Sequence, residues 1–128
     1  MSGKLSTHVL DTVHGCPASN MQIELWAIAI SNQENNQGAN EQKTLLKTLY
    51  TNQDGRTDGL LLNAEEMQVG IYEIWFNVSD YFASHQVSQT EPAFLNRVPI
   101  RFGISNISDR YHVPLLISPW AYSTYRGS

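Results

Sequence analysis

Apolar residues fall in short runs rich in β-branched and aromatic side chains, cut by Gly, Pro, Asn and Asp, and never sustain the three-to-four spacing of a long helix. The pattern predicts strands over 5–11, 21–30, 43–51, 70–78, 98–104, 111–118 and 121–126, with a weaker one near 60–62. One short helix is expected to be capped by Ser79 or Asp80 and to carry YFASHQ. The polar, Asn/Gln-rich stretch 31–42 reads as an exposed hairpin loop. These elements describe an all-β sandwich or barrel, and 128 residues fit one domain spanning 1–128.

Strand alternation sorts two segments into faces. In LSTHVLD, Ser6, His8 and Leu10 share one face and Leu5, Thr7 and Val9 the other. In HVPLLIS, His112, Pro114, Leu116 and Ser118 oppose Val113, Leu115 and Ile117. Both faces of the second segment are apolar, so the one bearing His112 is expected to meet another subunit or a pocket. Pro114 lacks a ladder donor, which predicts an edge or bulged position. Beyond the SPWA turn, Ser123 and Tyr125 alternate with Tyr122, Thr124 and Arg126, so the tail is expected to return as a hairpin partner.

Charge and cysteine content then exclude several classes. Eight Lys+Arg against twelve Asp+Glu, net −4, offer no broad basic surface for nucleic acid. The lone Cys16 permits no intrachain disulfide and no cysteine-based zinc site, and reads as an inert residue of the HGCPAS turn. No apolar run is long enough for a membrane span, the N-terminus lacks a secretory pattern, and the Arg-Gly-Ser ending is not a peroxisomal address. The expectation is a cytoplasmic protein without membrane or nucleic-acid partners.

Glycine-rich phosphate loops, Gly-x-Ser-x-Gly elbows and His-Glu-x-x-His pairs are missing, so any chemistry must be assembled in space. Taken singly, His8 and His112 fit half-buried histidines bonded to backbone carbonyls better than they fit proton-transfer groups. Arg56 in Asp54-Gly55-Arg56 fits a solvated turn arginine, and Arg126 fits a partner of a nearby acid. His14 and His85 fall in turn contexts and read as surface groups, while Trp26, Trp75 and Trp120 read as core and interface residues.

The two ends together alter that balance. LSTHVLDTVHGCPA (5–18) and YHVPLLISPWAYSTYRGS (111–128) resemble the signature segments of the transthyretin-related 5-hydroxyisourate hydrolases, and DGRTDGLL (54–61) resembles their central Gly-Arg turn. The resemblance implies a transthyretin-like β-sandwich of seven or eight strands with one short helix, assembled as a homotetramer, a dimer of dimers around a channel. It implies a catalytic set of His8, Arg56 and His112 acting on 5-hydroxyisourate without cofactor or metal. It further implies that Ser123, Tyr125, Arg126, Gly127 and Ser128 shape the substrate pocket. The alternative is a transthyretin-like ligand carrier without catalysis, although true transthyretins lack the histidine pair, the arginine and the Tyr-Arg-Gly-Ser ending. The segment 89–104 and the long 31–42 loop depart from the family pattern, which bears on packing rather than chemistry.

Overall fold

The computed structural model describes residues 3–32 and 39–127. Its strands are β1 (Lys4–Asp11), β2 (Cys16–Pro17), β3 (Gln22–Asn32), β4 (Ala39–Tyr50), β5 (Gly70–Asn77), β6 (Arg97–Ile104), β7 (Arg110–Ile117) and β8 (Tyr122–Thr124), with helix α1 (Val78–Ser84) between β5 and β6. They form two four-stranded sheets, ordered β2-β1-β7-β8 and β4-β3-β5-β6. Every pairing is antiparallel except β1 with β7. The all-β sandwich with one short helix is therefore the fold observed.

Alternation builds the core. Leu5 and Val9 on β1, Ile23 and Leu25 on β3, Ile74 and Phe76 on β5, and Leu115 and Ile117 on β7 are all fully buried between the sheets. Helix α1 closes one end with Val78, Tyr81 and Phe82, whose three-to-four spacing puts them on one side. Its first turn is capped by the Asn96 carbonyl, which accepts from the Val78 and Ser79 amides, so neither Ser79 nor Asp80 is the cap. Replacing a fully buried aromatic such as Phe76 with alanine removes about 3–5 kcal/mol.

Several expectations are corrected. Strands β3 and β4 continue through Asn32 and from Ala39, so 31–42 is not all loop; its residues 33–38 lie outside the described residues. The long β4 is mostly exposed, and a solvated edge strand can be polar on both faces and carry no alternation. The run 60–62 makes one bridge, Leu5 with Leu62, rather than a strand. None of the three tryptophans lies in the core. Trp26 and Trp75 lie half-buried on the outer face of the β4-β3-β5-β6 sheet, their indole N–H groups donating to Glu24 and Glu73, and Trp120 is exposed.

Pro114 sits in β7, an inner strand. On this strand the His112 and Pro114 carbonyls both face the chain's tail: they accept from the Gly127 amide at 2.8 Å and the Thr124 hydroxyl at 2.6 Å. The missing Pro114 N–H therefore faces the gap between the end of β8 and the Gly127 bridge, where no ladder bond is lost.

Asp11, at the end of β1, is buried and fully bonded. Its Oδ1 accepts from the Val13 and His14 amides, and its Oδ2 accepts from the Tyr81 hydroxyl at 2.7 Å and pairs with His14 Nδ1 at 2.6 Å. Burial pushes its pKa upward, but the bonds to His14 and Tyr81 outweigh it and hold the carboxyl below the usual carboxylate value. Because the folded pKa is depressed, this stabilisation is present above the unfolded value of about 4 and is lost as pH falls through the folded one. Asp11→Ala should lower stability at pH 7 by about 3 kcal/mol in urea denaturation, with a smaller difference from wild type at pH 3.

Candidate functional site

The parallel ladder of β1 and β7 sets the site. Lys4 pairs with Arg110, Ser6 with His112, His8 with Pro114 and Leu10 with Leu116, and these even-numbered β1 residues are half-buried on the outer face while their neighbours are in the core. His8 is two residues along the strand from His112's partner. Strand spacing and rise therefore put the two histidine Cα atoms about 8 Å apart on one face. Imidazoles at that separation can address one small ligand from two sides. His112 bonds through Nδ1 to the Ser6 hydroxyl at 2.8 Å, not to a backbone carbonyl. His8 has no hydrogen-bond partner among the described residues.

Arg56 arrives on a turn that is docked rather than free. The Asn52 carbonyl accepts from the Gly55 amide, the Asn52 side chain accepts from the Asp54 and Arg56 amides, and the Asn52 amide donates to the Arg56 carbonyl. Gly55 has φ +76° and its carbonyl accepts from the Val9 amide at 2.8 Å. A β-carbon there would lie 2.4 Å from the Val9 carbonyl oxygen, so only glycine lets the turn approach β1 this closely. The turn thus brings Arg56 alongside the strand that carries His8.

Burial, then the positive charges of Arg56, His8 and Lys4, hold the His112 imidazole below the ordinary histidine pKa. A base kept neutral near pH 7 and surrounded by cations is suited to accept a proton while anionic atoms gather beside it. Among the described residues neither Arg56 nor Lys4 has an acid within ion-pair distance, in contrast to Arg97, paired with Glu24, and Arg101, paired with Glu41 and Glu73. Lys4, Ser6, Thr7 and Arg56, with Thr57 and Asp58, line a cleft of about 250 Å³.

The tail residues separate. Ser123 lies opposite Leu116 and therefore on the histidine face, but four residues along β7 from His112, about 13 Å away. Tyr125 is exposed beyond the end of β8. Arg126 does not join the histidines. Its guanidinium lies 4.2 Å from the Tyr111 ring centre, donates to the Arg110 carbonyl at 3.1 Å and faces Asp109 at 3.7 Å, because alternation sends position 126 to the other side from Gly127. Gly127 contacts His112 directly through its backbone. Ser128 lies outside the described residues.

Lys4 and Ser6 are site residues that single-residue reading missed. The alternation already placed Ser6 beside His8, but its partner across the sheet follows only from the register. His14 and His85 are exposed as expected, although His14 is tied to Asp11 and His85 stacks on Tyr81 with ring centres 4.1 Å apart. No three metal-ligating side chains converge among the described residues. A larger cleft of about 500 Å³, bordered by Asp80, Gln89 and Glu91, contains no histidine or arginine.

Comparison with known proteins sets this geometry among relatives. The HIUase/Transthyretin family pattern matches residues 5–127. The 5-hydroxyisourate hydrolase of Pseudomonas aeruginosa is 47% identical over 126 residues, 98% of this chain and 92% of the relative. Among solved structures, a crystal structure of (S)-allantoin synthase superposes with TM-score 0.85 at 43% identity, covering 99% of this chain; this chain spans 44% of that one. The 5-hydroxyisourate hydrolase of Klebsiella pneumoniae superposes with TM-score 0.72 at 30% identity, covering 98% and 94% of the two chains.

The electrostatics make a prediction independent of any substrate. In an NMR titration the His112 ring should protonate below the ordinary value of about 6.5. Removing a neighbouring cation favours the charged ring, so Arg56→Met should move that midpoint upward, and Lys4→Met should move it upward by less. A midpoint unchanged in Arg56→Met would separate the arginine from the histidine.

Proposed function

Because the chain belongs to the HIUase/transthyretin family, we propose that it hydrolyses 5-hydroxyisourate, opening the six-membered ring to 2-oxo-4-hydroxy-4-carboxy-5-ureidoimidazoline. The observation that carries this reading is that His8 and His112 share the outer face of the β2-β1-β7-β8 sheet, with the turn that carries Arg56 docked on the edge of β1 beside them. The relative named for this activity matches nearly the whole chain at 47% identity.

The chemistry asks for three things: a base to deprotonate water, a donor or cation for the developing oxyanion, and an acid for the leaving nitrogen. Water adds to the C6 carbonyl of the cyclic amide, its proton passing to a histidine. Collapse breaks the C6–N1 bond, and N1 receives a proton as the carboxylate forms. His112, with its depressed pKa, is the better base at neutral pH, and His8 is placed to return the proton to N1. Arg56, always charged and with no acid within ion-pair distance among the described residues, binds the substrate oxygens and the oxyanion. These steps draw only on side chains of this chain, with no cofactor.

The same face supports a homotetrameric dimer of dimers. Half-buried Leu10 and Leu116 flank Pro114 and the two histidines there, and Trp120, Tyr122 and Tyr125 are exposed nearby. A second subunit laid over that surface would close the crevice and exclude water. Within it Ser123 and Tyr125 would bound the channel, and Arg126, Gly127 and Ser128 would shape its wall, with Arg126 acting through Tyr111 and the strand end. The reading is of one hydrolase domain over 1–128. Among the described residues no helix is long and apolar enough to cross a membrane, which is compatible with a cytoplasmic enzyme.

The test is an ultraviolet time course in which urate oxidase generates 5-hydroxyisourate and this protein is then added. Saturable acceleration of the intermediate's decay is expected. His112→Ala and Arg56→Ala should each lower kcat/KM by roughly 10²–10⁴ with the oligomer intact by analytical ultracentrifugation. A chain ending at Thr124 should lose on the order of a hundredfold in rate with little loss of stability. Spontaneous decay unchanged by a folded assembly, with tight binding of a flat aromatic ligand, would point to a carrier instead.

A further inference from the structure

The structure assigns Ser6 as a positioning residue for His112, holding the imidazole with its proton on Nδ1 and its lone pair on Nε2; the assignment rests on the hydrolase reading above. Ser6 stands directly across the ladder from His112, and its Oγ is 2.8 Å from Nδ1. On the other side the tail closes in. The Gly127 amide donates to the His112 carbonyl at 2.8 Å, and a β-carbon on Gly127 would sit 2.7 Å from Cδ2 and 3.3 Å from Cγ of the ring. The imidazole is thus held between a hydroxyl and a bare backbone, and Nε2 has no partner among the described residues.

A neutral imidazole carries one N–H, and the bond made by one nitrogen decides which. A serine hydroxyl can donate or accept, but only one arrangement serves both stages of the reaction. When Nδ1–H donates to Ser6 Oγ, Nε2 is free to take the water proton. The resulting imidazolium keeps the same bond, since Nδ1 is a donor in both states. The reverse arrangement would require the hydroxyl to turn around as His112 becomes charged. As an acceptor, Ser6 also turns its own hydrogen away from the ring, and Ser6 lines the cleft it shares with Lys4 and Arg56. Gly127 completes the fixation, because even a methyl group would push the ring off this line.

The experiment combines ¹⁵N NMR of the His112 ring with steady-state kinetics. Wild type should show Nδ1 protonated and Nε2 bare at neutral pH. Ser6→Ala should shift the ring toward the Nε2–H form and lower kcat about tenfold, the scale of one lost hydrogen bond, with KM little changed. Ser6→Thr, which keeps the hydroxyl on a strand-compatible side chain, should restore both. Gly127→Ala should lower kcat with Ser6 intact. An Nε2–H ring in wild type, or a Ser6→Ala variant with unaltered tautomer and kcat, overturns the assignment while leaving the hydrolase reading standing if His112→Ala is inactive. A tautomer shifted in Ser6→Ala without loss of turnover, beside unchanged turnover in His112→Ala, would overturn the role of His112 itself and the assignment with it.

Discussion

The parallel pairing of β1 with β7 is the constraint on which the site depends. It joins residues 106 positions apart, Ser6 with His112 and Thr7 with Val113, in the one non-antiparallel ladder among the described strands. Its register is set by burial. Leu5, Val9, Leu115 and Ile117 are fully buried, and a slip of one residue would send His8 inward and Leu5 and Val9 outward. The histidines share a face because Leu5, Val9, Leu115 and Ile117 share the other. The face the two histidines share is therefore enforced by core hydrophobicity worth about 1.5–3 kcal/mol per buried side chain.

The remaining edge of β1 recruits Arg56. Between Leu5 and Val9 the strand's free backbone groups bond to Leu61, Leu62 and Gly55, so the 55–62 segment covers an edge that would otherwise be unpaired. Gly55 lets that segment lie against the strand, and Arg56 follows it in sequence. One piece of backbone satisfaction thus places the arginine. The tail does the corresponding work on β7, where Gly127 bonds to the His112 backbone and Thr124 to the Pro114 carbonyl.

How much of this was legible in the sequence follows from what alternation encodes. LSTHVLD and HVPLLIS displayed their faces openly, because a half-buried strand must alternate, and those faces were observed. Which strand pairs with which, and in which direction, is a tertiary fact that alternation does not carry. That is why Ser6 went unnoticed as the partner of His112 and why Pro114 was expected at an edge or a bulge. Arg126 alternates away from Ser123 and Tyr125 as the sequence pattern has it, but its neighbours Tyr111 and Asp109 follow only from a register anchored at Gly127. The tryptophans were expected in the core and at interfaces because aromatics bury large areas and tolerate wet edges; none is in the core, and Trp26 and Trp75 cover ion pairs on an outer face.

The two outer faces of the sandwich handle charge in opposite ways. On the β4-β3-β5-β6 sheet, Glu73 is buried among Arg101, Lys43 and the Trp75 N–H. Burial would raise its pKa, but those partners outweigh it and keep it below the ordinary carboxylate value. Arg97 pairs with Glu24 and stacks on Trp75, so each of these cations is answered within the sheet. On the β2-β1-β7-β8 sheet, Lys4 and Arg56 have no such acid among the described residues, and their uncompensated charge falls on His112. A surface arranged only for stability would place a carboxylate there, as the other sheet does. Cations left unanswered there are available to an anionic substrate or a developing oxyanion in the proposed chemistry. Burial first, and then the same cations, keep His112 neutral enough to act as a base in the proposed chemistry.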